Sequence, residues 1–169
     1  MFTTVLIANR GAIACRIIRT LKKMGIRSIA VYTTADADSL HVQLADAAEW
    51  IGEGPAANSY LDSAKILAAA QKHGAQAIHP GYGFLSENTG FAAACAAQGI
   101  AFVGPRVEHI TAFGLKHTAR ELAEKNNIPL SPGTGLLDDV SQAICSADSI
   151  GYPVMLKSTA GGGGIGMQI

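Results

Sequence analysis

Lys157 is followed three residues later by Ala160 and then by Gly161-Gly162-Gly163-Gly164-Ile165-Gly166-Met167. Glycines let a backbone take positive φ and turn several N–H groups into one concavity, which suits a polyphosphate. A lysine at the end of the preceding strand adds a point charge toward the same oxygens. The residue order separates this segment from a Walker A loop, in which the lysine follows the glycines and precedes Ser or Thr. A glycine run alone fits a flexible turn or linker equally well; the approach through Gly151-Tyr152-Pro153 and the lysine favour a phosphate.

A second candidate is His79-Pro80-Gly81-Tyr82-Gly83-Phe84-Leu85-Ser86-Glu87-Asn88, directly after an expected strand. Ligands of parallel sheets bind at the carboxyl ends of strands, so a loop there with Tyr, Ser, Glu and Asn forms a candidate binding edge. Each residue also has a structural reading: His79 bonding backbone, Tyr82 covering the core rim, Ser86 to Asn88 capping the next helix. Lys116 and Arg120 lie one helical turn apart, with His117 rotated away; they could reach a nucleotide or form a solvated face, and spacing does not choose. Asp36 and Asp38 stand where a dinucleotide fold puts its ribose-binding acid. The first turn, Ala8-Asn9-Arg10-Gly11-Ala12-Ile13-Ala14, has one glycine where that fingerprint needs three. The aspartates are therefore expected to make a turn and cap a helix beginning near Leu40.

These residues need a frame to hold them. Short β-branched runs alternate with helical patterns, which argues for a parallel sheet flanked by helices. Strands are expected at Thr3 to Ala8, Arg27 to Tyr32, Ala48 to Ile51, Ala75 to Ile78 and Ile100 to Val103. A helix with Ile13, Ile17, Leu21 and Met24 on one face ends at Gly25; others run from Leu61 to His73 before Gly74 and from Gly90 to Gln98 before Gly99. After Gly104-Pro105 the pattern changes to helices at Val107 to Phe113, Lys116 to Asn126 and Asp138 to Ile150, then a strand from Pro153 to Lys157. The expected domains are 1–112 and 113–169. Only two residues follow the glycine-rich turn and its methionine, so the second domain is expected to be incomplete.

The composition bounds the function. The chain has 169 residues, 49% of them apolar and 15% charged, with 13 basic against 13 acidic. That balance describes a soluble globular protein and excludes nucleic acid as a partner, because backbone phosphates demand clustered positive charge. The first residues lack a leader pattern and no run is long enough to span a membrane, so the cytoplasm is the expected location. Cys15, Cys95 and Cys145 lack zinc spacing and are expected to be reduced, at least two of them in the core.

The run Ile7-Ala8-Asn9-Arg10-Gly11 with Ala14 and Arg16-Ile17, the loop from His79 to Asn88, Phe102-Val103-Gly104-Pro105, and Gly151-Tyr152-Pro153 through Lys157 to Gly166-Met167 resemble, in order and spacing, the biotin carboxylase component of biotin-dependent carboxylases. The resemblance covers essentially the whole chain. It implies an α/β fold: a parallel-sheet pre-ATP-grasp (biotin carboxylase N-terminal) domain followed by the start of an ATP-grasp domain. In that family ATP and bicarbonate form carboxyphosphate with Mg2+, and the carboxyl group passes to biotin on a separate carrier domain. By motif position the resemblance assigns Lys116 and Lys157 to the phosphates or base region of ATP, Gly163 and Gly164 to a lid over the phosphates, and Tyr82 to the neighbourhood of biotin.

Two departures narrow the branch. Gly114-Leu115-Lys116 replaces the family's Gly-Asp-Lys, and Ala160 and Ile165 replace a glycine and an arginine, which removes any lid contact that arginine would make. With Ala112-Phe113, His117-Thr118-Ala119-Arg120-Glu121-Leu122 and Pro132-Gly133-Thr134-Gly135, this version is similar to the urea carboxylase branch, the biotin-dependent half of urea amidolyase. That branch implies urea as carboxyl acceptor, allophanate as product, and carrier, carboxyltransferase and allophanate hydrolase domains as partners; a homo-oligomer is compatible with it. The same module from an acyl-CoA or pyruvate carboxylase, or a non-catalytic folding or dimerisation module, are the alternatives. No segment matches the family's magnesium carboxylates, bicarbonate site or biotinylated lysine. No catalytic set is complete, no metal ligands are assigned, and the isolated chain is expected to lack carboxylase activity.

Overall fold

A computed structural model describes residues 1–159 and 166–169. Contacts divide the chain into Met1–Val107 and Glu108–Ile169. In the first unit β1 (Thr4–Ile7), α1 (Gly11–Lys23), β2 (Arg27–Tyr32), a 3-10 turn (Thr34–Asp36), α2 (Leu40–Leu44), β3 (Ala47–Trp50), α3 (Ser63–Lys72), β4 (Ala77–His79), α4 (Thr89–Ala97) and β5 (Ala101–Phe102) follow one another. The five strands pair in parallel in the order β3-β2-β1-β4-β5.

β1 is buried throughout, because side chains that alternate across a strand meet helices on both faces of the sheet. Val5 and Ile7 pack with Ala14, Ile17, Ile18 and Leu21 of α1. Leu6 and Ala8 belong to the larger cluster with Ile66 and Ala70 of α3 and Phe91 and Cys95 of α4. Each fully buried Leu or Ile contributes about 1.5–3 kcal/mol. Met24, expected on the apolar face of α1, is instead its C-cap and 53% exposed.

β4 and β5 begin later than their apolar runs suggest. The Ala75 N–H donates to Ala70 O at 2.8 Å and the Ile100 N–H to Cys95 O at 2.9 Å, so both residues close the preceding helix and do not enter the ladder. Gly25, Gly74 and Gly99 take φ of 69°, 63° and 68° at those helix ends, as the punctuation predicts. Asp62 caps α3, and the Asn88 carboxamide oxygen accepts from Phe91 N at 2.8 Å to cap α4. Asp36 does not cap α2; Ser39 holds that position without a side-chain bond.

The second unit holds α5 (Val107–Gly114, starting at the division), α6 (Lys116–Lys125), α7 (Val140–Ile150) and an antiparallel pair, β6 (Leu156–Lys157) and β7 (Met167–Gln168). Asp139 caps α7 by accepting from Gln142 N at 2.8 Å. Cys15 and Cys95 are buried and Cys145 is exposed, all as free thiols. Among the described residues no helix is long and apolar enough to cross a membrane.

Candidate functional site

In the first unit the strand order reverses between β1 and β4, whose carboxyl ends lie side by side, the position where doubly wound sheets bind ligands. Two loops meet there. Asn9, after β1, is 4% exposed, and its carboxamide nitrogen donates to Pro80 O and to Tyr82 O, both at 2.8 Å. Its oxygen accepts from Arg10 N at 2.9 Å. His79 keeps the backbone role expected of it: its Nδ1 accepts from Gly81 N at 3.0 Å. Burial, followed by the charge of Arg16, holds this imidazole below its ordinary value and so neutral. Tyr82 does not cover the core rim; it is 67% exposed.

Beside this junction the structure builds a cluster that spacing did not reveal. Asp36 accepts from Arg10 at 3.1 Å, from Thr33 Oγ1 at 2.8 Å and from Tyr60 Oη at 2.7 Å. Burial pushes its carboxyl up, but the bonds from Tyr60, Thr33 and Arg10, with the charge of Arg10, outweigh it and hold the group ionised. Burial, then Asp36, pushes the Tyr60 phenol well up. The Tyr60 ring stacks on Phe84 at 5.1 Å and 7°, and the Arg10 guanidinium lies 5.2 Å and 5.8 Å from the two ring centres. Arg10 and Asp36 thus form the protein's own charge pair against the stacked rings of Tyr60 and Phe84. This gives Asp36 a structural partner in place of a ribose. His41 is fully buried nearby in α2, with Nε2 3.3 Å from Val31 O and Nδ1 without a partner; burial keeps it below the ordinary value.

In the second unit Lys116 reaches the hairpin that bears Lys157. Lys116 opens α6, and its ammonium donates to Ser158 O at 3.0 Å, the residue after Lys157. Lys157 is paired with Met167 in the β6–β7 ladder, and Ser158 N donates to Gly166 O at 2.9 Å, so the strands bracket residues 159–165. Both lysines are exposed. An open hollow on the hairpin is lined by Leu156, Lys157, Ser158, Gly166, Met167 and Gln168. A lysine on the hairpin strand and the start of a helix tied to that hairpin by Lys116 suit an anion with several oxygens. Arg120, which shares the face of Lys116, is committed elsewhere: it pairs with Glu124 at 3.1 Å and donates to Ser131 O at 3.1 Å. Gly163 and Gly164 lie outside the described residues.

Comparison with known proteins fits both halves. Residues 1–110 match the family described as "Biotin carboxylase, N-terminal domain", and residues 116–169 the family described as "Carbamoyl-phosphate synthase L chain, ATP binding domain". The chain belongs to the biotin carboxylase N-terminal domain family. It is 58% identical over 167 residues to the urea amidolyase of Lachancea kluyveri, covering 99% of this chain and 9% of that protein. It is 52% identical over 170 residues to the propionyl-CoA carboxylase alpha chain of Ruegeria pomeroyi, covering 100% of this chain and 25% of that one. The biotin carboxylase domain dimer of Hydrogenobacter thermophilus 2-oxoglutarate carboxylase, solved with MgADP, ADP and bicarbonate, superposes with a TM-score of 0.94 at 46% identity, over 99% of this chain and 37% of that one. The chain therefore spans a quarter or less of the length of these two curated relatives.

Proposed function

We propose that this chain supplies the lysines that grip ATP and an edge that meets biotin in an ATP-dependent biotin carboxylase of the urea carboxylase type. Residues 1–112 form its N-terminal domain and 113–169 the opening of its ATP-grasp domain. The observation that carries the reading is the bond from the Lys116 ammonium to Ser158 O at 3.0 Å, which ties a lysine 41 positions upstream to the hairpin that bears Lys157. The solved relative with MgADP and bicarbonate supports the same ligand set.

Within this reading Lys157 and Lys116 bind and orient the phosphate tail, and Gly163 and Gly164 close over it. When bound, ATP supplies the activated phosphoryl group and biotin the carboxyl acceptor. Tyr82 lines the approach of the biotin ring. Among the described residues no group of three His, Cys, Asp or Glu side chains comes together, and no magnesium ligand is assigned to this chain. The carrier, carboxyltransferase and allophanate hydrolase functions, the acceptor urea, a homo-oligomeric state and a cytoplasmic location belong to the same proposal.

ATP titration of the purified chain by calorimetry tests it. Binding should weaken about tenfold in Lys157→Ala, the size of one charge-assisted contact, and fall with added salt. Heat that ignores both lysines would instead favour a folding or dimerisation module. A second reading, an acyl-CoA carboxylase, has its own support in the propionyl-CoA carboxylase match. In the full-length protein, ATP cleavage stimulated by urea selects the first reading, and stimulation by acyl-CoA the second.

A further inference from the structure

The loop that carries Tyr82 combines an exposed side chain with a backbone held from below. Asn9, 4% exposed, places one hydrogen of its carboxamide on each of the two carbonyls flanking Gly81, at 2.8 Å and 2.8 Å, while its oxygen takes the Arg10 N–H. No other side chain of this length offers two donors and an acceptor from one planar group. Gly81 adopts φ +68°, and a Cβ there would stand 2.7 Å from the Asn9 nitrogen, so the backbone approaches the carboxamide as closely as any residue could. On the other side of Tyr82, Gly83 sits at φ +65° and Phe84 at φ 40°, a left-handed position rarely taken outside glycine. The Phe84 ring is fixed there by its stack on Tyr60. Tyr82 stands between these two anchors with its ring in solvent.

We propose that Asn9 is the positioning residue for Tyr82: by binding the Pro80 and Tyr82 carbonyls it fixes the direction from which the phenol meets the biotin ring. This rests on the reading of Tyr82 as a biotin-facing residue. An aromatic side chain on a fixed backbone loses little freedom when a planar ligand docks on it. Asp at position 9 keeps the shape and the acceptor for Arg10 N but replaces the one nitrogen that makes both donations with a carboxylate oxygen facing two carbonyls, so the loop is released and repelled.

The test is steady-state kinetics of the full-length protein, prepared without biotinylation, with free biotin as the varied substrate. Asn9→Asp should raise the KM for biotin about tenfold and move the KM for ATP by less than about twofold, as expected of a misplaced contact. Asn9→Ser, which keeps one donor, should fall between, and covers the case in which the aspartate variant does not fold. Tyr82→Ala should raise the same KM, and the double variant Asn9→Asp/Tyr82→Ala should be no worse than Tyr82→Ala alone, because Asn9 acts through Tyr82. An unchanged biotin KM in both Asn9 variants beside a raised one in Tyr82→Ala overturns the role of Asn9 and spares that of Tyr82. Additive losses, or biotin and ATP KM values rising together, reduce Asn9 to a fold-holding residue and overturn the proposal. No effect of Tyr82→Ala removes the underlying reading itself.

Discussion

The two units hold their candidate residues by different means. Among the described residues every buried apolar side chain except Ile110 belongs to residues 1–107, while Leu136, Val140, Ile144 and Leu156 of the second unit are all more than half exposed. The first unit is organised by a two-faced sheet core. The local order of the second comes from caps such as Asp139, from the i,i+4 pair Arg120–Glu124 and from a two-residue ladder. The Tyr82 loop is tied to a sheet end by side-chain bonds from Asn9, whereas Lys116 and Lys157 sit at an exposed helix start and on an exposed two-residue strand.

The sharpest way to break this contrast is to remove apolar bulk from each unit. Phe91→Ala, at a ring 1% exposed and edge-on to Phe102, should cost about 3–5 kcal/mol in urea denaturation followed by circular dichroism. Ile144→Ala, 53% exposed, should stay within about 0.5 kcal/mol. Equal costs would end the distinction. A smaller effect compares glycines. Gly81→Ala must place a methyl 2.7 Å from Asn9 at φ +68° and should cost about 1–3 kcal/mol, while Gly135, with nothing within 4 Å, should tolerate alanine nearly unchanged.

The smallest expected effect is the acid response of the first unit. Burial holds His41 and His79 below the ordinary imidazole value of 6.5, so the folded chain keeps them neutral where the unfolded chain takes up protons. Their contribution to stability is complete above about pH 6.5 and is lost as pH falls toward the folded values. A plot of unfolding free energy against pH should therefore slope down on the acid side, and His41→Leu should remove at most one proton from that slope. An unaltered slope would show that His41 is not a source of acid sensitivity.

Elements whose signal is local were legible in the chain itself. The five strands, the glycine-ended helices and two core cysteines follow from periodicity and composition, since a residue's tendency to be buried or to end a helix depends mainly on its neighbours in sequence. The same holds for His79 bonding backbone and Asn88 capping α4. The capping role expected of Asp36 failed because its partners, Arg10 and Tyr60, lie 26 and 24 positions away, and only the folded sheet brings them to it.

What the sequence by itself determined was therefore the alternation and the family motifs, both properties of short windows, and the resemblance carried by those motifs nominated Lys116, Lys157 and Tyr82 as candidates. Tertiary structure alone decided that Asn9 would grip the carbonyls around Gly81 and that Lys116 would reach the strand of Lys157, across 71 and 42 positions. Such pairings depend on which strands become neighbours, and no local pattern carries that information, because it is settled by how the whole core packs.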